Sequence, residues 1–533
     1  MSLRAYAERT APNAPGLFLA LAAALGGLRS PLPWMIFGAL FLVWFVWSGR
    51  ALAATGREAG LLFFGWLGVA ALFSSDTAFS LAVLARYAVF AAVFFSAARG
   101  DEDGWVSSVL ALGLAASAVF ICQRALGLGP TGYIGANPNY SAAFAAAAFP
   151  AALLLALGGA PGRRKYLLFA LAAALAAGLF ASGSRGAMGA AFLSAAAGLA
   201  FMRRWNWLAA LFAAALALAA FLPASAWEGL LKLSDPRAFA RPRLWGAALE
   251  AAAASPMLGW GPGLFDRIFE LFKFPYFDGV SYFGHSTLNA HGELFNLAAE
   301  AGFPAALLFL AAAAAGIFRG GKTSLPMKLC ALSVLLQGCV DIVFYSGAVS
   351  LLLWGSLGIL SAGETAAPAG GRKLEALLAA ACLAGLLLGG WLLISPQAAR
   401  MARGRYPEAE LARVRLEAFE KPRDPFPEAA AADILYANGD LRGAEAACKR
   451  ALALEPDFAR ARLNLARVYA AAGRLDAACA EIGPALRAAS LKAESGYGRG
   501  LISIDRPAAE KMETELCRKK KTGNTTAPRR RTR

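Results

Sequence analysis

The stretch from Ala224 to Gly302 reads ASAWEGLLKLSDPRAFARPRLWGAALEAAAASPMLGWGPGLFDRIFELFKFPYFDGVSYFGHSTLNAHGELFNLAAEAG, the only long polar interval in the first 395 residues. Apolar runs press against it from both sides, and a membrane-crossing helix needs about 20 such residues. That contrast decides the fold: an all-α, many-span membrane protein interrupted by one large loop, residues 223–302. Both histidines of the chain, His285 and His291, fall inside the loop, with Arg237, Arg241 and Arg243 upstream. Histidine gives and takes protons near neutral pH better than any other side chain, so the loop is a candidate site.

Composition supports the membrane reading. At 533 residues, 58% hydrophobic and 16% charged, the chain has too little polar surface for a soluble globule of its size. A net charge of +17 would suit nucleic acid, but the excess lies in short turns between apolar runs and in the tail RKKKTGNTTAPRRRTR. No arginine-rich groove with interleaved aromatics accompanies it, so no nucleic-acid partner is expected. The seven cysteines form no CxxC pair and no Cys/His cluster at metal spacing, so neither a metal nor a cofactor is expected. Most read as small buried apolar residues; Cys448 and Cys479, in adjacent helical repeats, are a pairing candidate in an oxidising compartment. The opening MSLRAYAERTAPNAPG is basic, short and without a small-x-small cleavage site, and reads as a retained signal anchor.

Taken in order, spans are expected near residues 15–28, 33–48, 59–75, 78–98, 105–124, 140–158, 165–182, 186–202 and 205–222 before the loop. Four more follow near 303–318, 327–345, 347–361 and 374–395, about 13 in all. With the N-terminus inside, the inner turns carry 15 basic residues (such as Arg50, Arg57, Arg163 and Arg203), and the short outer turns carry three: Arg29, Arg124 and Arg185. Lysine and arginine collect on the cytoplasmic side, so this asymmetry places the loop, and everything after residue 395, outside.

Beyond Gln397 the chain becomes charged and alanine-rich with a period of 34 residues: Gly439 recurs as Gly473, Ala444 as Ala478, Ala451 as Ala485. This resembles the tetratricopeptide repeat, whose paired helices need small residues where they cross. The expected division is a membrane domain over 1–395, repeats over 396–494 and a basic, disordered tail over 495–533. Residues 404–424 look like a degenerate helix preceding two repeat units, a short stack completed by packing on the membrane domain or on a protein partner.

Charge inside spans is costly and therefore informative. Arg86, in LAVLARYAVF, reads either as paired with a carboxylate such as Asp341 or snorkelling, or as a phosphate contact. Arg185, in the tight outer turn ASGSRGAMG, stands against the charge rule and points to an anionic partner. GANPNYSAAF reads equally as a helix cap and as a binding turn. Within the loop, RPRLWGAALEAAAA reads as an amphipathic helix from Pro242 to about Ala254. Arg241 and Arg243 sit at its start, where positive side chains oppose the helix dipole and are better explained by a negative ligand. HGELFNLAAEAGFPAALLFL then opens a helix leading into the next span, with His291 at its mouth.

GANPNYSAAFAAAAFP, SGSRGAMGAAF, RPRLWGAALEAAAASPMLGWGPGLF and AHGELFNLAAEAGFPAAL resemble, in order and spacing, the O-antigen ligase and O-antigen polymerase superfamily, over roughly residues 130–360. The resemblance implies a bacterial inner-membrane glycosyltransferase with a large periplasmic loop. It would move a glycan from an undecaprenyl diphosphate carrier to a hydroxyl acceptor on the periplasmic face, with no nucleotide sugar or required metal. His291 then corresponds to the family's histidine and general base. Arg185 and Arg241, with Arg243, Arg86 and His285 as further candidates, would bind the substrate diphosphate. The family follows its histidine with asparagine; this chain has Gly292. Three acceptors compete: a lipid A core sugar, the growing glycan (a polymerase) or a protein hydroxyl (an oligosaccharyltransferase). A lipid-linked glycan transporter and a non-catalytic scaffold presenting the repeats are the readings outside the class. A transporter would place its charges near the bilayer midplane.

Overall fold

The computed structural model describes residues 14–48, 56–97, 101–135, 137–158, 162–221, 223, 227–228, 241–319, 325–362, 380 and 407–523. The described residues form helices and turns with no strand. The expected span near 374–395, the N-terminal segment and Arg237 lie outside them. In chain order the first unit contains α1 (Ala14–Ala24), α2 (Pro31–Ser48), α3 (Glu58–Leu72), α4 (Thr77–Ser96), α5 (Glu102–Ala125), α6 (Pro138–Leu157), α7 (Arg163–Ser182), α8 (Arg185–Phe201), α9 (Trp205–Phe221) and α10 (Arg241–Ala254). The short α11 (Phe265–Phe272) follows, then α12 (Glu293–Arg319), α13 (Leu325–Val340) and α14 (Gly347–Ser361).

Five of these, α4, α5, α6, α7 and α12, are long and apolar enough to cross a membrane; α1, α2, α3, α8, α9, α13 and α14 are apolar but shorter. The expected span near 327–345 stops earlier: α13 ends at Val340, and Asp341 opens a break before a 3-10 turn at Val343–Tyr345. The span expected at 347–361 is α14, buried along its whole length.

The centre of this unit is α6, with 83% of its apolar window buried. Its run of alanines lets α5, α7, α8 and α13 approach closely, as small residues do between helices in lipid. At Gly113 of α5 a Cβ would meet the Cβ of Ala148 at 2.5 Å. Pro150, inside α6, has no N–H to offer the carbonyl of Ala146 one turn back. The hydroxyl of Ser333 on α13 donates to that oxygen at 2.7 Å instead. An unmet carbonyl is costly in lipid, so the proline and the serine form one device.

The same logic shapes α12, which bends at Gly302 (φ 81°) just ahead of Pro304. The bend frees carbonyls, and the loop turn SPMLGWGPG supplies their donors. Trp260 N–H reaches Ala299 O at 3.1 Å, and Gly261 N–H reaches Glu300 O at 2.8 Å. Trp66 Nε1 donates to Ala301 O at 3.0 Å, and Phe303 N–H donates to Pro256 O at 2.9 Å. A Cβ on Gly302 would lie 2.0 Å from Met257 O, so only glycine fits there. At the other end of the bundle, buried Arg57 donates to Phe95 O, Ala97 O and Gly358 O, the carbonyls that close α4 and lie in the last turn of α14.

The second compact unit comprises residues 266–288 and the chain from 395 onward. Its helices are α15 (Pro407–Glu420), α16 (Pro425–Ala437), α17 (Leu441–Leu454), α18 (Ala459–Ala471), α19 (Leu475–Ala488), α20 (Gly496–Ile502) and α21 (Arg506–Gly523). The repeat pattern read from the sequence is present. Gly439 and Gly473 close successive inter-helix turns at φ 80° and 75°, and Ala444, Ala478, Ala451 and Ala485 are fully buried at the crossings.

Three features depart from expectation. Loop residues 266–288 group with the repeats. The expected disordered tail instead forms α20 and α21, with Ala509, Met512 and Leu516 covering the apolar face of α18 and α19; this supplies the closing cap that a repeat stack requires. Cys479 pairs with Cys517 on α21 rather than with Cys448, which is free and buried in the core of the stack.

Candidate active site

Four chain segments of the first unit meet beside Asp341. The first is the turn into α8. Gly183, at φ 65°, ends α7 in the left-handed region, and Ser184 caps α8 by accepting from Ala187 N–H. Arg185 is therefore the first residue of α8, and its neighbour Gly186 packs on Asp341, where an added Cβ would lie 3.2 Å from Oδ2. The second segment is the first turn of α6, where Asn137 accepts from Asn139 N–H with Pro138 in the first turn. The Asn-Pro-Asn stretch is thus a cap, and Gln337 of α13 joins it by donating to Asn139 O at 3.2 Å.

The third segment is the start of α10. Arg241 donates to Val340 O at 2.7 Å and stands 3.6 Å from the Asp341 carboxylate, whose side chain is only 1% exposed. Residues two apart on a helix lie about 200° apart, so Arg243 points elsewhere and is exposed. The pairing of Asp341 with Arg241 replaces the pairing with Arg86 considered from sequence. Arg86 instead places its guanidinium 5.9 Å from the ring centroid of Trp34.

The fourth segment carries His291. Its backbone is left-handed at φ 54°, a conformation histidine adopts more readily than most residues but still at a cost. Local hydrogen bonds impose it: His291 N–H donates to Asn289 Oδ1 at 3.2 Å, Ala290 N–H donates to Asn296 Oδ1 at 3.1 Å, and Trp245 Nε1 donates to His291 O at 3.3 Å. Trp245 in turn stacks on Phe295 with centroids 5.1 Å apart. A Cβ at position 292 would lie 2.8 Å from Cys339 O and 3.2 Å from Trp245 Nε1. Gly292 is thus what lets α10 and the end of α13 close around the histidine, which accounts for the departure from asparagine at this position.

The imidazole is half-buried, and its Nδ1 is a buried atom with no hydrogen-bond partner among the described residues. Burial pushes its pKa below the ordinary histidine value, and the positive charge of Arg241 pushes the same way; Asp341 opposes both. The ring is therefore neutral at pH 7 and able to accept a proton. Oδ2 of Asp341 and Oε1 of Gln337 are likewise buried without a hydrogen-bond partner among the described residues. The second histidine is not part of this group. His285 falls in the other unit, its ring among Phe269, Phe274 and Tyr276.

Asp341 and Gln337 escaped the sequence reading as site residues. The available signal was a carboxylate at the end of an apolar run, where burial demands a partner; its partner Arg241 is a hundred positions away.

The fold and this cluster define a multi-pass, all-helical membrane protein with a proton acceptor and arginines gathered at helix ends. Residues 169–310 match the O-antigen ligase family, and residues 435–490 match the tetratricopeptide repeat. No curated protein matches the chain. The chain is thus similar to an O-antigen ligase with C-terminal tetratricopeptide repeats, and the ligase match supports an O-antigen-ligase-like glycosyltransferase superfamily. It spans Arg185, Arg241, Arg243, His285 and His291, and leaves Arg86 and Asp341 outside.

Proposed function

We propose that this protein transfers a glycan from an undecaprenyl diphosphate carrier to a hydroxyl acceptor, on the outer face of a bacterial inner membrane. The observation that carries the reading is the convergence of neutral His291 with Arg241, Asp341 and the Arg185 turn, in a region largely within the O-antigen ligase match. In the proposed step the acceptor oxygen bonds to the anomeric carbon as its bond to the diphosphate oxygen breaks. The acceptor proton passes to the His291 imidazole, and the electron pair leaves with the lipid diphosphate. Such a single displacement inverts the anomeric centre. Arg241 and Arg185 offer the charge and fork geometry that suit the departing diphosphate. Asp341 aims Arg241 and moderates its effect on the histidine.

The location outside rests on the asymmetry of basic residues. The Cys479–Cys517 disulfide supports it, because disulfides persist in oxidising compartments.

The test is accumulation of lipid-linked glycan in cells lacking the protein, complemented by variants. His291→Ala and Arg241→Ala should each leave the donor unconsumed while the protein remains in the membrane. Full transfer by His291→Ala would end the base assignment. Movement of intact lipid-linked glycan across vesicles without transfer would favour a transporter. The glycosylated product, be it lipid A core, longer glycan or protein, identifies the acceptor.

A further inference from the structure

Within the second unit, loop residues 274–284 (FPYFDGVSYFG) form a narrow turn laid on the repeat helices. Tyr276 N–H donates to Tyr282 O at 2.7 Å and Asp278 N–H to Ser281 O at 3.0 Å. Asp278 Oδ1 accepts from Val280 N–H at 3.0 Å and Ser281 N–H at 2.8 Å, tying the tip together. Every part of the tip then finds a partner. Glu494 N–H donates to Asp278 O at 2.9 Å; the Ser495 hydroxyl donates to the Asp278 carboxylate, and the Ser281 hydroxyl to Glu455. Val280 is buried among Ala429, Ala451, Phe458, Ala461 and Leu501.

Two glycines make the approach possible. At Gly279 (φ 97°) a Cβ would lie 2.4 Å from Lys492 O, and at Gly284 one would lie 2.4 Å from the Tyr497 ring. Arg423 adds a hydrogen bond to Lys273 O at 2.7 Å and stacks over Phe283. Stacked repeats ordinarily offer this kind of surface to other chains. Here the occupant is the protein's own loop.

We propose that the repeats act as an internal clamp that fixes the chain leading into His291, making Asp278, Val280, Ser281 and Ser495 positioning residues for proton transfer. This rests on the assignment of His291 as the base. The clamped segment ends at Leu288, and His291 follows three positions later. Its left-handed backbone is held by short-range bonds from Asn289 and Asn296, so slack upstream reaches the histidine through only a few residues. A small misplacement of a catalytic group costs up to about a hundredfold in rate.

The test uses the full-length protein in lipid nanodiscs, with hydrogen exchange and steady-state transfer of lipid-linked glycan measured on the same samples. Gly279→Val drives a side chain onto the Lys492 carbonyl; Ser495→Ala removes one hydroxyl from the repeat side. Both should raise amide exchange over 274–288 and leave the repeats protected. Both should lower kcat about tenfold or more while donor KM stays within about twofold. Arg460→Ala, which breaks only the exposed pair with Asp433, should change neither quantity.

A loosened loop with unchanged kcat overturns the clamp and leaves the transferase reading standing. A rise in KM alone also overturns it, because the turn would then touch substrate instead of positioning the base. Should Gly279→Val disturb the repeats themselves, Ser495→Ala decides. Full turnover by His291→Ala refutes the base assignment and the clamp together.

Discussion

Removing the Ser333 hydroxyl tests how the buried helix at the centre of the bundle is held. Ser333 is fully buried, and its Oγ lies 2.7 Å from Ala146 O. That carbonyl has no helical N–H because the residue one turn on is Pro150. Ser333→Ala therefore removes a good hydrogen bond and strands a buried acceptor, a loss of about 1–3 kcal/mol. In the Pro150→Ala background the backbone N–H returns to the helix and the carbonyl is satisfied without help. The same serine substitution should then cost under about 1 kcal/mol, giving a coupling on the order of 1–2 kcal/mol. The four proteins can be compared by reversible denaturant titration in mixed micelles, followed by tryptophan fluorescence and by helix content. Equal costs of Ser333→Ala in both backgrounds would refute the argument, since the serine would then be serving something other than the proline's orphaned carbonyl.

The lowered His291 pKa keeps the ring neutral into mild acid, so the acid limb of transfer kcat/KM should lie below the ordinary histidine value. Asp341→Asn removes the charge that raises this pKa and should move the limb to lower pH; Arg241→Gln should move it up. Because the unfolded histidine binds its proton first on acidification, the His291 contribution to stability is lost as pH falls below about 6.5, and melting scans of His291→Gln should lack that component. Maleimide labelling of intact cells before and after reduction should modify Cys479 and Cys517 only after reduction; labelling of both beforehand would place the repeats in a reducing compartment. Loss of that bridge through Cys517→Ser should destabilise the repeat unit by up to about 4 kcal/mol on the loop-entropy scale for its 38-residue separation, read by urea-dependent proteolysis. Gly302→Ala forces a Cβ to 2.0 Å from Met257 O and should lower the yield of folded protein far more than Gly65→Ala, where the space is open; the readout is monodispersity after extraction.

The parts of the fold that could be read from the sequence are those governed by local pattern. The bounds of α14 follow from an unbroken apolar run, and the 34-residue spacing of Gly439 and Gly473 survives as two equivalent left-handed turns. His291 was visible because polarity inside a membrane chain is scarce. What escaped were pairings between distant segments. The Arg241–Asp341 ion pair joins opposite ends of the span map, and nothing local in either residue names the other. The tail was misjudged because α21 is polar overall; its apolar residues matter only where α18 and α19 leave a surface uncovered. The cysteine pairing failed for the same reason: adjacency of repeats suggested Cys448, while the helix that closes the stack brings Cys517 to Cys479.

Arg57 bears on how this membrane domain could be rewired. It was counted among the cytoplasmic charges, yet its guanidinium spans three carbonyl oxygens from two helices. Charge-swap mapping that replaces basic residues to invert a hairpin would, at this position, open two helix ends at once and register as misfolding. The exposed cluster Arg163, Arg164 and Lys165 at the start of α7 is the sounder place to edit, because there the charges can be exchanged without withdrawing a donor from the interior.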